Sequence, residues 1–310
     1  MDHNQSSFLP KKSKIEFFKA GDGKRLRGAY FPSIGDVKAS IVLIHGHREF
    51  LEKYTEFIEA FQNRGFNVYS FDLRGQGLSE RNLENHSKSH TPDFDRLVFD
   101  IEDFINKQVK PDTLGHPLYM VAHSMGAHLG LRYLHDHPEM FDKAVLLSPF
   151  TDLNIGSTFF TGLAKAFFKM ANIFGLSENF ALGQDKHKDM VDHPYAISRL
   201  THDEKRYYKS QDAIAQNQNL FIGGVTYGWL NGAIDSIQVL HQDYYMEKIK
   251  TPILCLMAGE DKVVDNDVTI ELINKTANSL IVSITGARHE IYRETDDVQK
   301  ILWQKIDAFI

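Results

Sequence analysis

Residues 117–137 have the sequence PLYMVAHSMGAHLGLRYLHDH, in which the pattern of apolar residues changes at Ser124. The part before Ser124 is a short apolar run typical of a buried strand, and the part after it carries apolar residues at helical spacing. Ser124 is therefore expected on a tight turn from a strand into a helix, where the small residues Ala122 and Gly126 relieve crowding. Such a serine is a candidate nucleophile, although a serine at a strand end is also a common helix cap.

Similar short apolar runs occur on both sides of this segment, and amphipathic stretches such as 51–64 and 126–137 lie between several of them. The runs are 39–46, 66–75, 143–149, 252–259 and 279–286. Near-continuous Val, Ile and Leu indicates strands buried on both faces, and alternation with helices indicates parallel pairing. Two strand-like runs within 15–32 flank Gly21-Asp22-Gly23, which predicts an antiparallel hairpin. We predict a mostly parallel, doubly wound α/β sheet with N-terminal antiparallel strands.

One interval of the sequence lacks this alternation of strand-like and helical segments. The roughly one hundred residues between Pro149 and Pro252 contain no comparable strand, and they are too many for a connecting loop. We therefore predict an α/β core formed by residues 1–150 and 246–310, with residues 151–245 inserted as a helical cap.

The first half of this cap contains an amphipathic helix, in which Phe160, Leu163 and Phe167 recur at spacings of three and four. Its apolar face is expected to pack on the domain beneath it. The alternatives are that this face forms a wall of an acyl-chain tunnel or docks on lipid. Periodicity alone does not say what the face contacts.

The composition excludes several classes of function. The 310 residues include 35 basic and 41 acidic side chains, so the net charge of −6 offers no general surface for nucleic acid. The single cysteine, Cys255, lies in an apolar run and is assigned to the core. No segment has the pattern of a secretory signal or the length of a membrane-spanning helix. We expect a cytoplasmic protein, and peripheral contact with the inner face of the membrane stays open.

A serine hydroxyl becomes an effective nucleophile when an imidazole accepts its proton and a carboxylate orients that imidazole. Asp261 follows the strand-like run 252–259, and His289 follows the run 279–286. The chain order Ser, Asp, His fits a serine on a strand-to-helix turn, and the carboxyl ends of parallel strands meet at one edge. We predict Ser124, Asp261 and His289 as the catalytic residues.

Other residues compete for these roles. Asp265 and Asp267 also lie near a strand end, but they precede a helical pattern that they could cap. His123 and His128 adjoin the candidate nucleophile and could shape a pocket, yet neither follows a later strand. No metal-binding spacing such as HExxH occurs, so we predict neither a metal nor a cofactor.

Acyl transfer also requires donors for the oxygen that becomes negative. These are usually the backbone N–H after the nucleophile and one from an earlier loop. The first is that of Met125. For the second, the segment His45-Gly46-His47 follows a strand-like run, and we predict the N–H of His47.

These motifs together resemble the α/β-hydrolases, particularly the monoacylglycerol lipase and lysophospholipase group and, within it, the bacterial L2-type lysophospholipases. The resemblance spans approximately residues 15–310. It is carried by His45-Gly46, DLRGQGLS at 72–79, AHSMG at 122–126, GGVTYGW at 223–229, GEDKVV at 259–264 and Arg288-His289-Glu290.

The resemblance implies the same catalytic residues and a substrate with one fatty acyl chain, such as a lysophospholipid or a monoacylglycerol. The residues expected to bind this substrate lie in the cap: Phe160, Leu163, Phe167, Tyr227 and Trp229. Ala122 stands where the family has glycine, and the segment 47–49 differs from the lipase version, which leaves the headgroup preference open.

We predict a serine carboxylic-ester hydrolase that forms an acyl-serine intermediate and releases a fatty acid. Its partner is a lipid or another ester, not a nucleic acid, and its oligomeric state is left open. The alternatives are a peptidase or a short-chain esterase of the same fold, or a protein of this fold that binds ligands without turnover.

Overall fold

The structure is a computed structural model that describes residues 8–113, 115–153, 158–186 and 195–310, with the backbone alone at 112 and 158–165. The described strands are β1 Lys14–Lys19, β2 Arg25–Phe31, β3 Ala39–Ile44, β4 Phe66–Phe71, β5 Leu118–His123, β6 Lys143–Leu147, β7 Ile253–Ala258 and β8 Ser279–Ile284. The described α-helices are α1 Thr55–Gln62, α2 Phe94–Phe104, α3 Met125–Asp136, α4 Thr158–Ile173, α5 Glu204–Gln216, α6 Tyr227–Leu240, α7 Asn266–Ile273 and α8 Asp296–Phe309.

The strands form one sheet in the order β1-β2-β4-β3-β5-β6-β7-β8. The pairs β1–β2 and β2–β4 are antiparallel, and the pairs from β4–β3 to β7–β8 are parallel. Every residue of β3, β4 and β7 is buried, as expected from their mostly apolar sequences, whereas the edge strand β8 is partly exposed. The predicted α/β-hydrolase sheet with antiparallel N-terminal strands is confirmed.

Helices cover both faces of the sheet. Side chains of α1 and α8 join one apolar cluster with the strands, and side chains of α2, α3 and α7 join another cluster on the opposite face. This arrangement leaves the carboxyl ends of the parallel strands uncovered by the core helices, so the loops that follow β3, β5, β7 and β8 converge at one edge.

The segment between β6 and β7 contains α4, α5 and α6, and its described residues add no strand to the sheet. Helix α5 contacts the turn Leu51–Tyr54, and α4 packs on α6. Trp229 and Ala233 of α6 join the same apolar cluster as α2 and α3, so part of the insertion is continuous with the core. The division into a core and a cap at residues 151–245 stays a prediction. None of the described helices combines the length and apolarity needed to cross a membrane.

Candidate active site

Ser124 occupies the turn between β5 and α3 with φ 51° and ψ −118°. Positive φ is unfavourable for a residue with a side chain, so neighbouring contacts must hold it. The Ser124 N–H donates to the carbonyl of Leu147 at 2.9 Å, and its carbonyl accepts from the N–H of Phe150 at 3.1 Å. Both partners lie at the end of β6 or just beyond it. The adjacent strand therefore fixes the turn that presents the serine at the sheet edge.

Gly126 makes this turn possible because the helix passes close to the loop after β3. A Cβ atom at this position would lie 2.4 Å from the carbonyl oxygens of both Ile44 and His45, which leaves no room for a side chain. Ala122, by contrast, lies fully buried inside β5. The methyl group at the position where the family has glycine is therefore accommodated in the core.

The structure brings Ser124, His289 and Asp261 into one hydrogen-bonded chain. The Nε2 of His289 lies 3.0 Å from the Oγ of Ser124, and its Nδ1 lies 2.8 Å from Oδ2 of Asp261. The pairing of Ala258 with Ile284 aligns the ends of β7 and β8, so the loops that carry Asp261 and His289 lie side by side. The three side chains converge although the serine and the histidine are 165 residues apart.

Asp261 is held as an ionised carboxylate. Burial opposes its ionisation, but the hydrogen bond and charge of His289 and the N–H groups of Val263 and Val264 outweigh burial and lower the pKa of Asp261. Those two N–H groups donate to Oδ1 at 2.8 and 3.1 Å. A fixed negative charge at this position stabilises an imidazolium on His289.

Asp265, the alternative candidate for the catalytic acid, caps a helix and does not contact His289. Asp265 is the N-cap of α7, where its carboxylate accepts the N–H groups of Asp267 and Val268 at 2.9 and 3.3 Å. Its side chain therefore satisfies helix donors, while Asp261 contacts His289.

Of the two residues predicted to donate to the oxyanion, Met125 directly follows Ser124, and His47 lines the same cavity as Ser124. Met125 is the first residue of α3, so helix geometry gives its N–H no acceptor within the helix. His47 lies in the loop after β3, where the N–H groups of Gly46 and Arg48 are taken by Glu49 and Gln76. The N–H of His47 donates to none of the described residues.

Ser124 and His289 open into a cavity of about 630 Å³. One wall is a face of α5, on which Tyr207, Ser210, Gln211 and Ile214 follow helical spacing. The remaining lining is mixed in character: the apolar residues are Phe50, Ile197, Leu200, Leu220, Phe221, Ile222 and Val263, and the polar ones include Lys53, Ser198, Arg199, Glu290 and Arg293.

Three of the predicted substrate-binding residues, Phe167, Tyr227 and Trp229, do not line this cavity, and their role in substrate binding stays a prediction. Trp229 is buried behind the loop after β3, where its ring stacks on His47 with centroids 4.3 Å apart. Tyr227 contacts Phe167, with ring centroids 5.8 Å apart, and neither side chain lines the cavity. Helix α4 packs on α6 through Phe168 and Ala171, while Phe167 and Met170 of the predicted apolar face remain about half exposed. The side chains of Phe160 and Leu163 lie outside the described residues.

Sequence reasoning missed the residues that line this wall and those beneath the site. The α5 face could have been found from the spacing of residues 207, 210, 211 and 214. The contact between Glu49 and His123, whose Oε2 and Nδ1 lie 3.1 Å apart, had no comparable signal because the two residues come from different strand ends.

Comparisons with known proteins agree with this geometry. The family model described as serine aminopeptidase, S33 matches residues 35–296. Lysophospholipase L2 of Escherichia coli is 30% identical over 278 residues, which cover 87% of this chain and 79% of that protein. Human monoglyceride lipase is 24% identical over 292 residues, which cover 93% and 88% of the two chains.

A solved structure supports the same fold. A soluble variant of monoglyceride lipase from Saccharomyces cerevisiae, in complex with a substrate analog, aligns with a TM-score of 0.73 at 17% identity, covering 98% of this chain and 97% of that one. The resemblance inferred from the motifs is therefore confirmed: the chain belongs to the α/β-hydrolase family described as serine aminopeptidase, S33.

Proposed function

We propose that this serine hydrolase releases a fatty acid from a single-chain lipid ester, either a lysophospholipid or a monoacylglycerol. One observation carries the proposal. The hydrogen-bonded chain of Ser124, His289 and Asp261 opens into a cavity of about 630 Å³ with a partly apolar lining, large enough for a lipid chain. Relatives named lysophospholipase L2 and monoglyceride lipase support the same substrate class.

The reaction follows from the positions of the donors and acceptors. His289 accepts the proton of Ser124 through Nε2 as Oγ attacks the ester carbonyl, while the N–H groups of Met125 and His47 stabilise the oxyanion. His289 then protonates the departing alcohol, which leaves an acyl-serine. Water enters in place of the alcohol, His289 activates it, and the fatty acid is released. Asp261 stabilises the imidazolium formed in both steps.

The lining of the cavity supports an acyl chain at one end and a polar group at the other. Ile214, at the C-terminal part of α5, packs with Phe50 and Leu220. Ser210 and Gln211 lie about one turn before it on the same face, so the wall is more apolar at Ile214 than at these two residues. We place the acyl chain against Ile214 and the headgroup toward the polar end.

The charges in the cavity favour a lipid ester over a peptide with a free amino terminus as the substrate. An aminopeptidase needs an acidic group to hold the free amino group of its substrate. Glu49 and Glu290 line the cavity, but Lys53 pairs with both and Arg293 pairs with Glu290. These carboxylates are therefore already neutralised within the protein.

The substrate class is tested with esters of increasing chain length. Each buried methylene contributes about 0.8 kcal/mol, so kcat/KM should rise about fourfold per methylene from acetyl esters until the apolar end is filled. Ile214→Trp should reduce the preference for lauroyl over acetyl esters, and Ile301→Trp, on the exposed side of α8, serves as the control. A panel of lysophospholipids, monoacylglycerols and aminoacyl peptides, with mass spectrometry of the products, identifies the headgroup. Constant kcat/KM along the series, or release of amino acids alone, would contradict the proposal.

The proposal includes peripheral contact with a lipid surface. The support is a group of exposed apolar side chains at the end of α4 and just after it: Phe167, Met170, Ile173, Phe174 and Leu182. Ile173 and Phe174 are 75% and 73% exposed, which is unusual for large apolar residues so close in sequence.

We expect the protein to sediment with phosphatidylcholine vesicles through these side chains. The double variant Ile173→Ser, Phe174→Ser should lower the bound fraction at least about tenfold, since each apolar side chain contributes roughly 1.5 to 3 kcal/mol when buried. Hydrolysis of a water-soluble short-chain ester should be unchanged in that variant. Equal vesicle binding by both proteins would exclude this surface as the contact.

A further inference from the structure

A second buried carboxylate and imidazole lie directly behind the candidate catalytic residues. Glu49 is 3% exposed and belongs to the loop after β3, two residues beyond His47. His123 is 1% exposed and immediately precedes Ser124 at the end of β5. Their contact therefore joins the loop that carries an oxyanion donor to the strand that carries the nucleophile.

Five donors from the described residues surround the carboxylate of Glu49. Its Oε2 accepts from the N–H of Gly46 and the hydroxyl of Tyr54, and it faces Nδ1 of His123 at 3.1 Å. Its Oε1 accepts from the ammonium of Lys53 at 2.9 Å and the hydroxyl of Tyr292 at 3.1 Å. An ionised carboxylate has about four acceptor positions and no donor, so this set of partners requires Glu49 to be charged.

The partners of His123 determine its protonation. Its Nδ1 faces the carboxylate of Glu49, and its Nε2 faces the backbone carbonyl oxygen of His289 at 3.2 Å. A neutral imidazole donates from one nitrogen only, so it would turn a lone pair toward one of these acceptors. The hydroxyl of Tyr54 is 3.3 Å from Nδ1, but it already donates to Glu49. Both ring nitrogens therefore carry protons.

We propose that Glu49 and His123 form a second carboxylate–imidazolium pair, which positions both the oxyanion loop and the catalytic base. Glu49 accepts from the N–H of Gly46 and so fixes the His45–Gly46 peptide, which directly precedes the peptide that carries the His47 N–H. His123 donates from Nε2 to the carbonyl of His289 and so fixes the backbone of the residue that contacts Ser124. Both act as positioning residues. The inference rests on the proposed roles of Ser124 and His289.

The charged neighbours are consistent with this pair. Burial opposes the charged form of His123, but the charge and hydrogen bond of Glu49, with a smaller contribution from Glu290, raise its pKa; Lys53 acts in the opposite direction. Burial likewise opposes ionisation of Glu49, and Lys53 and His123 outweigh it, so the pKa of Glu49 lies well below its ordinary value. The rings of Tyr292 and His289 complete the surroundings, with centroids 5.1 and 4.9 Å from His123.

The pair predicts a loss of activity at high pH. Because the pKa of His123 is raised in the folded protein, the imidazolium is present below that pKa and is lost as the pH rises through it. The deprotonated ring can no longer donate hydrogen bonds to both Glu49 and the carbonyl of His289. The native kcat/KM should therefore fall on the alkaline side, whereas His123→Gln, which keeps an amide donor and does not titrate, should be less active and lack this fall.

NMR of protein labelled with ¹⁵N in histidine tests the charge directly. We expect both ring nitrogens of His123 to be protonated at pH 7, with signals assigned by their loss in His123→Gln. His128 is an internal control: burial and the nearby Arg132 lower its pKa to about 3, so one of its ring nitrogens should carry no proton. A His123 ring with one unprotonated nitrogen would overturn the proposal, and this measurement requires no substrate.

Activity tests the positioning role. Glu49→Gln and His123→Gln should each lower kcat about tenfold to a hundredfold, change KM less than about twofold, and slow fluorophosphonate labelling of Ser124. The double variant should be no worse than the poorer single variant. Glu52→Gln is the matched control, because Glu52 is equally buried but pairs with Arg27 at 2.8 Å.

The two proposals fail in different ways. Unchanged kcat and labelling in Glu49→Gln, or an equal loss in Glu52→Gln, would overturn the positioning role. Labelling follows the reactivity of Ser124 whatever its natural ester. A protein that is labelled at the expected rates but hydrolyses no single-chain lipid would contradict the proposed substrate and leave the pair supported.

Discussion

Ser124→Ala is expected to lower kcat for a lauroyl ester by about a millionfold, since removing the nucleophile of a serine hydrolase leaves only binding and oxyanion stabilisation. Labelling by a fluorophosphonate probe should disappear with it. The measurements are fatty acid release by mass spectrometry and probe labelling followed on a gel. Labelling also separates the enzyme from a protein of this fold that binds ligands without turnover, because such a protein would bind lipid without being labelled.

Ser148 provides a matched control for this substitution. It lies at the end of β6, the strand next to β5, and has a positive φ of 41°, as Ser124 has. Its Oγ is buried and has no hydrogen-bond partner among the described residues. Ser148→Ala should therefore keep full labelling and most of the activity. Persistent labelling of Ser124→Ala would show that the nucleophile is a different residue.

Asp261→Asn should reduce kcat about ten-thousandfold, because the amide cannot stabilise the imidazolium and favours the wrong tautomer of His289. Asp265→Asn is the matched comparison, since Asn caps a helix about as well as Asp does. It should therefore leave kcat and the melting temperature nearly unchanged. Loss of activity in Asp265→Asn, with Asp261→Asn remaining active, would reverse the assignment of the acid.

The Asp261→Asn substitution should also change how the stability of the protein depends on pH. The pKa of Asp261 is lowered in the folded protein, so its ionised form adds stability above the ordinary pKa of aspartate. That stability is lost as the pH falls through the lowered pKa. Thermal unfolding of Asp261→Asn and of the native protein, compared at pH 7 and at a pH below the ordinary pKa of aspartate, should show that the variant lacks this contribution. An identical pH dependence of the two melting temperatures would contradict the cause given for the shift.

The strands of the sheet were predictable because the apolar composition of each one indicates that it is buried. The apolar runs at 39–46 and 252–259 contain β3 and β7, both buried along their whole length. The order β4-β3-β5 within the sheet does not follow from these runs, because a run of Val, Ile and Leu pairs equally well with any similar neighbour.

The lining of the cavity was not predictable in the same way. An apolar helical face can be recognised from spacing, but the spacing does not say what the face contacts. The phenylalanines of α4 were expected either to pack on the core or to form a wall for the acyl chain, and α4 packs on α6. The cavity wall is formed instead by α5, which has the lowest mean hydropathy of the three inserted helices. A short helical face of mixed polarity is a weaker signal in the sequence than a row of phenylalanines.

The sequence alone determines the strand-to-helix turn at Ser124 and the order along the chain in which Ser124, Asp261 and His289 follow their strands. The change from an apolar run to helical spacing places that turn, whereas the lack of space for a Cβ at Gly126 comes from Ile44 and His45 at the end of another strand. Only the tertiary structure decided which side chains meet across the sheet edge, including Glu49 and His123, which are 74 residues apart. Such contacts depend on strand order and loop path, since two buried polar groups satisfy each other only after the whole sheet has brought them within hydrogen-bonding distance.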